Sequence, residues 1–482
     1  MIEERSRQQE VDLEPLDPMV WKIAWVVLLG PLMTVLDSTV VNVSLSTLSS
    51  EMHTALTTIQ WVTSGYLLAL ALMLPVSGWL VDRVGAKRVY LGCFTAFTLT
   101  SLLCGTATSA NALIAFRVLQ GMAGGLLAPM AQMMVARRAG RHVARVMGFM
   151  VMPVLIGPIL GPVLAGLILQ HASWRWIFLI NLPIGLIALV LAVWLLPADE
   201  HEAQRRSFDL TGFLLLSPGL VLLLHSLESL SAHPGTRNLS LAELAVGVTL
   251  LGLFIRHGIR NGPAALIDVH LFQGRTFSAA AATQFLANAI AFGGQMLLPL
   301  YLLTVRGESA SRTGLLLAPA GLGMMCSYPM MGALTERFSP RRVSSAGAAI
   351  ALLGTLPFAL SGAVPLPLLC LALFVRGAGS GCINIPSIAA AYASIPKEMI
   401  PVATTAINIV QRLGGPIATT LLAIFLHARI AASPAGHTDA YLVTFRILCI
   451  VHALVIVAAL RLPDTRSQRR PTQLQQTEAL AD

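Results

Sequence analysis

Nearly charge-free apolar runs recur along the chain from Trp21 to Leu462, each close to the ~20 residues an apolar helix needs to cross a bilayer. Their spacing predicts fourteen helices, near 22–46, 58–80, 89–108, 112–136, 144–169, 174–196, 210–228, 240–256, 276–304, 314–334, 343–362, 364–390, 402–427 and 441–462. A polar stretch from Pro197 to Asp209 follows the sixth run, and a mixed segment from His257 to Arg275 follows the eighth. The expected fold class is therefore an all-α membrane protein. It divides into a tail (1–20), a six-helix bundle (21–196), a linker carrying two inserted spans (197–275), a second six-helix bundle (276–462) and a closing tail (463–482).

Composition supports the pattern. Of the 482 residues, 55% are hydrophobic and 11% charged, against about a quarter charged in an ordinary soluble domain. The net charge of +9 does not read as a nucleic-acid footprint, because the basic residues sit in short clusters between apolar runs. Those clusters orient the chain. Only Arg175, Arg237, Arg306, Arg312 and Arg429 fall in loops opposite the N-terminus, and Arg117, Arg376, Arg412 and Arg446 lie inside spans. All the other Lys and Arg share the N-terminal side. This asymmetry predicts that both termini are cytoplasmic.

The six cysteines lie in or beside apolar runs without metal-ligand or disulfide-framework spacing, so they read as packing residues. Residues 1–20 are polar and acidic, with no basic lead into an apolar core, which predicts no cleavable signal peptide. The mostly polar stretch Ser467–Thr477 reads as disordered. No nucleotide-binding loop, metal cluster or nucleophile–base pair is visible, so neither an enzyme nor a bound cofactor is expected and an ion gradient becomes the energy source.

The chain also repeats itself. Gly78-x3-Asp82-Arg83-x3-Lys87-Arg88-Val89, between the second and third spans, is answered by Gly332-x3-Glu336-Arg337-x3-Arg341-Arg342-Val343 between the tenth and eleventh. Gln120-Gly121-x-x-Gly124-Gly125 in the fourth span has a counterpart in Arg376-Gly377-x-x-x-Gly381 in the twelfth. Two six-helix halves flanking a two-helix insert account for both echoes, and halves of this kind build a central substrate path in one large transporter class.

These stretches resemble the major facilitator superfamily, in particular its fourteen-helix drug:proton antiporter branch (EmrB/QacA type), over roughly residues 20–465. The first span ends Leu36-Asp37-Ser-Thr39-Val-Val-Asn42-Val, as that branch does, although the usual Ala-Leu-Pro continuation is here Ser44-Leu45-Ser46. Gly78, Asp82, Arg83, Gly85, Lys87 and Arg88 resemble the superfamily's cytoplasmic gate motif, with Glu336 and Arg337 as its second copy. Arg117-x-x-Gln120-Gly121 resembles its fourth-helix motif. Gly157-Pro158-x-x-Gly161-Pro162-x-x-x-Gly166 resembles the fifth-helix motif of antiporters, and Ser173 to Gly185, including Asn181, a further signature of the branch. The resemblance implies alternating access, a small-molecule substrate, protons as the coupling ion and a bacterial inner membrane. A monomer is compatible with the sequence, which does not itself fix the oligomeric state.

Individual residues carry the expected chemistry. Asp37 lies about fifteen residues into the predicted first span, near the bilayer midplane at ~1.5 Å per residue. A carboxylate there is costly and can alternate between protonated and charged states, which suits a proton carrier or a cation partner; hydrogen bonds from Thr39 or Asn42 would be the purely structural alternative. Arg117 cannot release its proton, so its expected part is to bias a nearby carboxylate through its charge. Arg412, in Asn408-x-x-Gln411-Arg412, is a second buried cation without an assigned partner. Gln284, Asn288 and Gln295 share one helical face in the ninth span and, with Asn42, Gln120 and Arg412, are candidates for lining a substrate cavity. The methionines of the fourth, fifth and tenth spans read mainly as packing residues. His225 and Glu228, one turn apart near the outer end of the seventh span, could pair, but an interfacial location is the preferred reading. Members of the resembled family that handle divalent cations often carry a second acid in the C-terminal half; none stands at membrane depth here, so the resemblance implies neutral, zwitterionic or monovalent substrates. The expected function is proton-driven export of small amphipathic or toxic compounds, with export of a defined metabolite, lipid or siderophore as the alternative; a non-transporting membrane receptor or scaffold is disfavoured by the intact gate loops and the midplane acid.

Overall fold

A computed structural model of the chain describes residues 17–199, 207–232, 237–432 and 437–464; the tail stretch from Ser467 to Thr477 lies outside them. Fourteen helices among the described residues are long and apolar enough to cross a membrane. They are α1 (Pro18–Val43), α2 (Leu56–Met73), α3 (Ala86–Gly105), α4 (Ala110–Ala139), α5 (Val143–His171), α6 (Trp176–Leu195) and α7 (Leu210–Leu230). The series continues with α8 (Arg237–Ala264), α9 (Arg275–Thr304), α10 (Ser311–Phe338), α11 (Pro340–Leu360), α12 (Leu366–Ala393), α13 (Lys397–Ala431) and α14 (His437–Leu460). An even number of crossings leaves both ends of the chain on one side, here called the terminal face; the other is the far face.

Local chemistry sets the boundaries. Asp17 caps α1 by accepting the Met19 amide at 2.8 Å, with Pro18 in the first turn. The first helix stops at Ser44, whose hydroxyl donates back to the Val40 carbonyl at 2.7 Å, and a short helix, Leu45–Glu51, continues beyond the break. Below α2, the helix Val76–Val84 extends to the terminal face and ends at Gly85, where φ is +97°. In the second copy of that turn Ser339 holds nearly the same conformation, φ +83° and ψ 151°, a region that favours glycine.

In the first bundle, α1 packs on α4, α5 and α6, α2 on α4, and α3 on α4 and α6. Tyr66, Tyr90, Phe94, Phe97 and Leu127 fill its centre. Gly157 and Gly161 turn one face of α5 onto α1: a Cβ at Gly157 would lie 2.7 Å from the Val35 side chain, and one at Gly161 would strike Thr39. Pro158 and Pro162 point away from that contact and are exposed, and Gly166 has open space around it. In the second bundle, α9 packs on α12, α13 and α14, α11 on α12 and α14, and α10 on α12. Tyr301, Phe358 and Phe445 form its aromatic centre, with centroids 5.4–5.9 Å apart. The α7–α8 pair stands beside the bundles and touches both: Ser217 donates to the Leu72 carbonyl of α2 (2.9 Å), and Thr420 of α13 donates to the Leu227 carbonyl (2.9 Å). His225 meets Glu243 of α8 at 2.9 Å and stacks on Trp61, whereas Glu228 accepts from Ser64. His225 and Glu228 thus do not pair with each other but contact neighbouring helices. All six cysteines are free thiols.

Candidate functional site

A cluster of polar side chains is sealed inside the first bundle. Arg117 of α4 donates through Nη1 to Asp37 Oδ2 of α1 at 2.5 Å, and both side chains are fully buried. The second carboxylate oxygen accepts from Asn181 of α6 at 2.7 Å and from Gln120 of α4 at 3.3 Å. Ser101 of α3 closes the ring, accepting from Asn181 (3.0 Å) and Gln120 (3.1 Å) and donating to the Phe178 carbonyl (3.0 Å). Arg117 is steadied by the Val62 carbonyl (3.1 Å), the Gln120 side-chain oxygen (2.8 Å) and the Tyr66 ring, 4.0 Å from its guanidinium carbon.

The local sequence explains this convergence. Arg117 and Gln120 are one turn apart, so both project from the same face of α4. Asp37 sits two residues before Thr39, on the part of α1 held down by α5. The cluster lies closer to the far face than the sequence implies. With α1 running from Pro18 to Val43, Asp37 is about 9 Å from the helix end at 1.5 Å per residue, past the middle of the span. Thr39 and Asn42 do not hold Asp37. Thr39 donates to the carbonyls of Val35, Leu36 and Gly157, and Asn42 is exposed near the end of α1.

The Gly78–Arg88 stretch lies on the terminal face. Asp82 meets Arg137 of α4 at 3.5 Å. Lys87 donates from Nζ to the Val193 (3.0 Å) and Leu196 (2.6 Å) carbonyls, pinning the end of α6. Asp199 covers the start of α3, accepting from the Lys87 and Arg88 amides; the sequence had shown it only as part of a polar linker. Arg83 and Arg337 are exposed. Glu336, the second-copy acid, meets His142 (2.8 Å) and Arg145 (3.3 Å) of the first bundle. Two more contacts join the bundles: the Ser77 and Thr405 hydroxyls meet at 2.8 Å, and Asn408 Nδ2 donates to Gln132 Oε1 at 2.7 Å. The backbone of Pro401 lies against Gly78, and Arg145 against Gly332. These bridges all fall in the half of the molecule next to the terminal face.

The second-half candidates are dispersed. Gln284 is fully buried and donates to the Asn384 carbonyl and the Ser387 hydroxyl of α12, each at 2.7 Å, so its amide joins α9 to α12. Asn288 is half-buried and Gln295 exposed. Arg376 donates to the Ile290 carbonyl and Arg446 to the Ala359 carbonyl. Arg412, half-buried in the middle of α13, makes no hydrogen bond or ion pair among the described residues.

Comparison with known proteins follows the same lines. The family model of the Major Facilitator Superfamily matches residues 27–419. A multidrug resistance protein B homolog of Mycobacterium tuberculosis is 37% identical over 416 residues, covering 85% of this chain and 77% of that protein. A Citrobacter koseri protein that also bears a multidrug-resistance name, MdtD, is 31% identical over 460 residues, covering 93% and 96% of the two chains. Among solved structures, the proton:xylose symporter XylE superposes with a TM-score of 0.60 at 14% identity, over 92% of this chain and 96% of that one; this likeness concerns the fold alone.

Proposed function

We propose that this chain, which belongs to the major facilitator superfamily and is a multi-pass membrane transporter, works as a proton-coupled exporter of small amphipathic compounds by alternating access. The observation that carries the reading is the buried Asp37–Arg117 pair. A carboxylate can be neutralised by a proton and a guanidinium cannot, so the proton and Arg117 compete for one acceptor. When a proton occupies Asp37, the ion pair dissolves, while Gln120 and Asn181 still hold the neutral acid in place. The two proton occupancies thus correspond to two ways of holding α1 against α4 and α6. Because α1 is also seated on the glycine face of α5, a shift of α1 reaches the helix that meets α10 on the terminal face. Proton and substrate then weaken each other's binding, as exchange requires.

The bridges between the bundles support a state closed on the terminal face. The Lys and Arg asymmetry supports a cytoplasmic assignment for that face, and the bacterial relatives favour the inner membrane. Asp37, near the far face, is then placed to receive protons from outside, while Asp82–Arg137 and Glu336–His142–Arg145 act as the gate pairs of the closed side. The relatives' multidrug-resistance names favour toxic, structurally varied substrates. The test is export in proteoliposomes under an imposed pH gradient. Asp37→Asn, a mimic of the protonated acid, should lose gradient-driven export while still inserting and folding; full export by that variant would place the coupling proton elsewhere.

A further inference from the structure

Three arginines stand inside the spans of the second bundle, and no carboxylate stands with them. The described acids of that half, Glu308, Glu336, Glu398, Asp439 and Asp464, all lie in loops or at helix ends. Arg376 and Arg446 rest on backbone carbonyls. Arg412 has no such rest. Its position on α13 follows from its neighbours: Thr405 and Asn408, seven and four residues earlier on the same helical face, both bond to the first bundle through Ser77 and Gln132. Arg412 is the next step along that face toward the far side, beyond the last of these bridges. It is half-buried and lies within electrostatic reach of the Tyr66 phenol of α2. Tyr66 is itself fully buried, and its hydroxyl has no hydrogen-bond partner. Asp37 is not available to Arg412, since Arg117, Gln120 and Asn181 already surround it. A guanidinium at membrane depth is costly, by a few kcal/mol at least, unless water or a partner compensates it, and among the described residues no group hydrogen-bonds to it.

We infer that Arg412 is a binding group for an anion, and that the transported molecules include amphipathic compounds with a single negatively charged group, such as a carboxylate or phosphate. The inference rests on the exporter reading for the word transported, but not for the site itself. Arg is suited to this because its planar fork matches carboxylate and phosphate geometry, and a charge-assisted hydrogen bond is worth roughly a tenfold change in affinity. It also refines the substrate expectation from the sequence. The missing second-half acid disfavours divalent cations, and the unpaired arginine favours anions over neutral molecules.

The experiment compares 1-pyrenebutyrate with its uncharged amide, binding each to the full chain in phosphatidylcholine nanodiscs by tryptophan-to-pyrene energy transfer. The native protein should prefer the butyrate about tenfold. Arg412→Lys should keep much of that preference, and Arg412→Gln should bring the two probes to within about twofold. Equal binding of both probes by the native protein, or a preference that survives in Arg412→Gln, would overturn the inference. A lipid headgroup could supply the same chemistry. If added phosphatidylglycerol displaces the butyrate only when Arg412 is present, the site stands with lipid as its anion; if it does not, the site stands with the soluble anion. Gradient-driven export of ethidium, measured on the same protein, separates the two readings. Ethidium export without anion preference removes only the anion site, and anion preference without any gradient-driven export removes only the exporter.

Discussion

Cutting the buried ion pair from each side should have unequal consequences. The centres of the two charges lie about 4 Å apart, which at an effective dielectric of about 20 corresponds to roughly 4 kcal/mol of attraction. Removing one partner of a fully buried pair typically costs about 3–5 kcal/mol, because the survivor is left uncompensated. After Asp37→Asn, Arg117 keeps the Val62 carbonyl, the Gln120 oxygen and the Tyr66 ring, but it cannot shed its charge. After Arg117→Met, Asp37 keeps donors from Gln120 and Asn181 and can take up a proton. Asp37→Asn should therefore destabilise by about 3–5 kcal/mol wherever the native carboxylate is ionised. Arg117→Met should cost less, and progressively less as the solution is acidified. The double variant should be no worse than Asp37→Asn alone, giving an interaction energy of roughly 2–3 kcal/mol. Unfolding in detergent can be followed with a thiol-reactive dye in a background lacking the four more accessible cysteines, since Cys93 and Cys104 are buried and become accessible only when the bundle opens. Additivity of the two single variants to within about 0.5 kcal/mol would refute the reasoning, as would an Arg117→Met cost that grows on acidification.

Ser339→Gly should stabilise the protein by about 1–3 kcal/mol, because it relieves a strained φ and removes a buried hydroxyl that has no partner; a lower unfolding midpoint would contradict this. Asp209, at the base of α7, offers a pH test. Burial alone would raise its proton affinity, but the Gly212 and Leu266 amides and His257 outweigh that and hold the carboxyl below its ordinary range. A depressed value means that its contribution is present above the ordinary carboxylate range and is lost as pH falls through and below it. Asp209→Asn should thus cost about 1.5–3 kcal/mol at neutral pH, with the gap from native closing toward pH 3; a constant gap would count against the assignment. Single cysteines at Ser207 and Ser309, in a cysteine-free background, should react with impermeant reagent from the cytoplasmic and outer sides respectively, and the reverse pattern would invert the assigned orientation.

The helices were legible because each is a long apolar run with polar ends, and for such segments the bilayer requirement leaves little freedom. Asp37, Arg117 and Gln120 were legible for the same reason, since a charge or amide inside an apolar run stands out. Their supporting partners did not. Ser101 is a small hydroxyl of the kind that commonly satisfies itself on its own helix, and Asn181 was visible as a motif residue without a role; only the packing of α3 and α6 on α1 brings them to the carboxylate. The depth of Asp37 was misjudged because the first run reads as continuous to 46, whereas Ser44 turns its hydroxyl back and ends the helix. Similarly, His225 and Glu228 invite pairing by spacing, but neighbouring helices present Glu243 and Ser64. Along-helix geometry is written in sequence spacing, and between-helix geometry is not.

The placement of α7 makes the two sides of the transporter unequal toward the lipid. The two six-helix bundles meet along two lateral seams, one where the Val76–Val84 helix below α2 approaches α13 and one where α5 approaches α10. Through Ser217–Leu72 and Thr420–Leu227, α7 stands across the first like a door post. In the exporter proposed above, α7 would screen acyl chains from one seam, and the side between α5 and α10 would be the lateral route for a compound dissolved in the bilayer. That doorway is bordered by the glycine- and proline-bearing α5, so lateral admission and the movement of the first bundle would share a single helix.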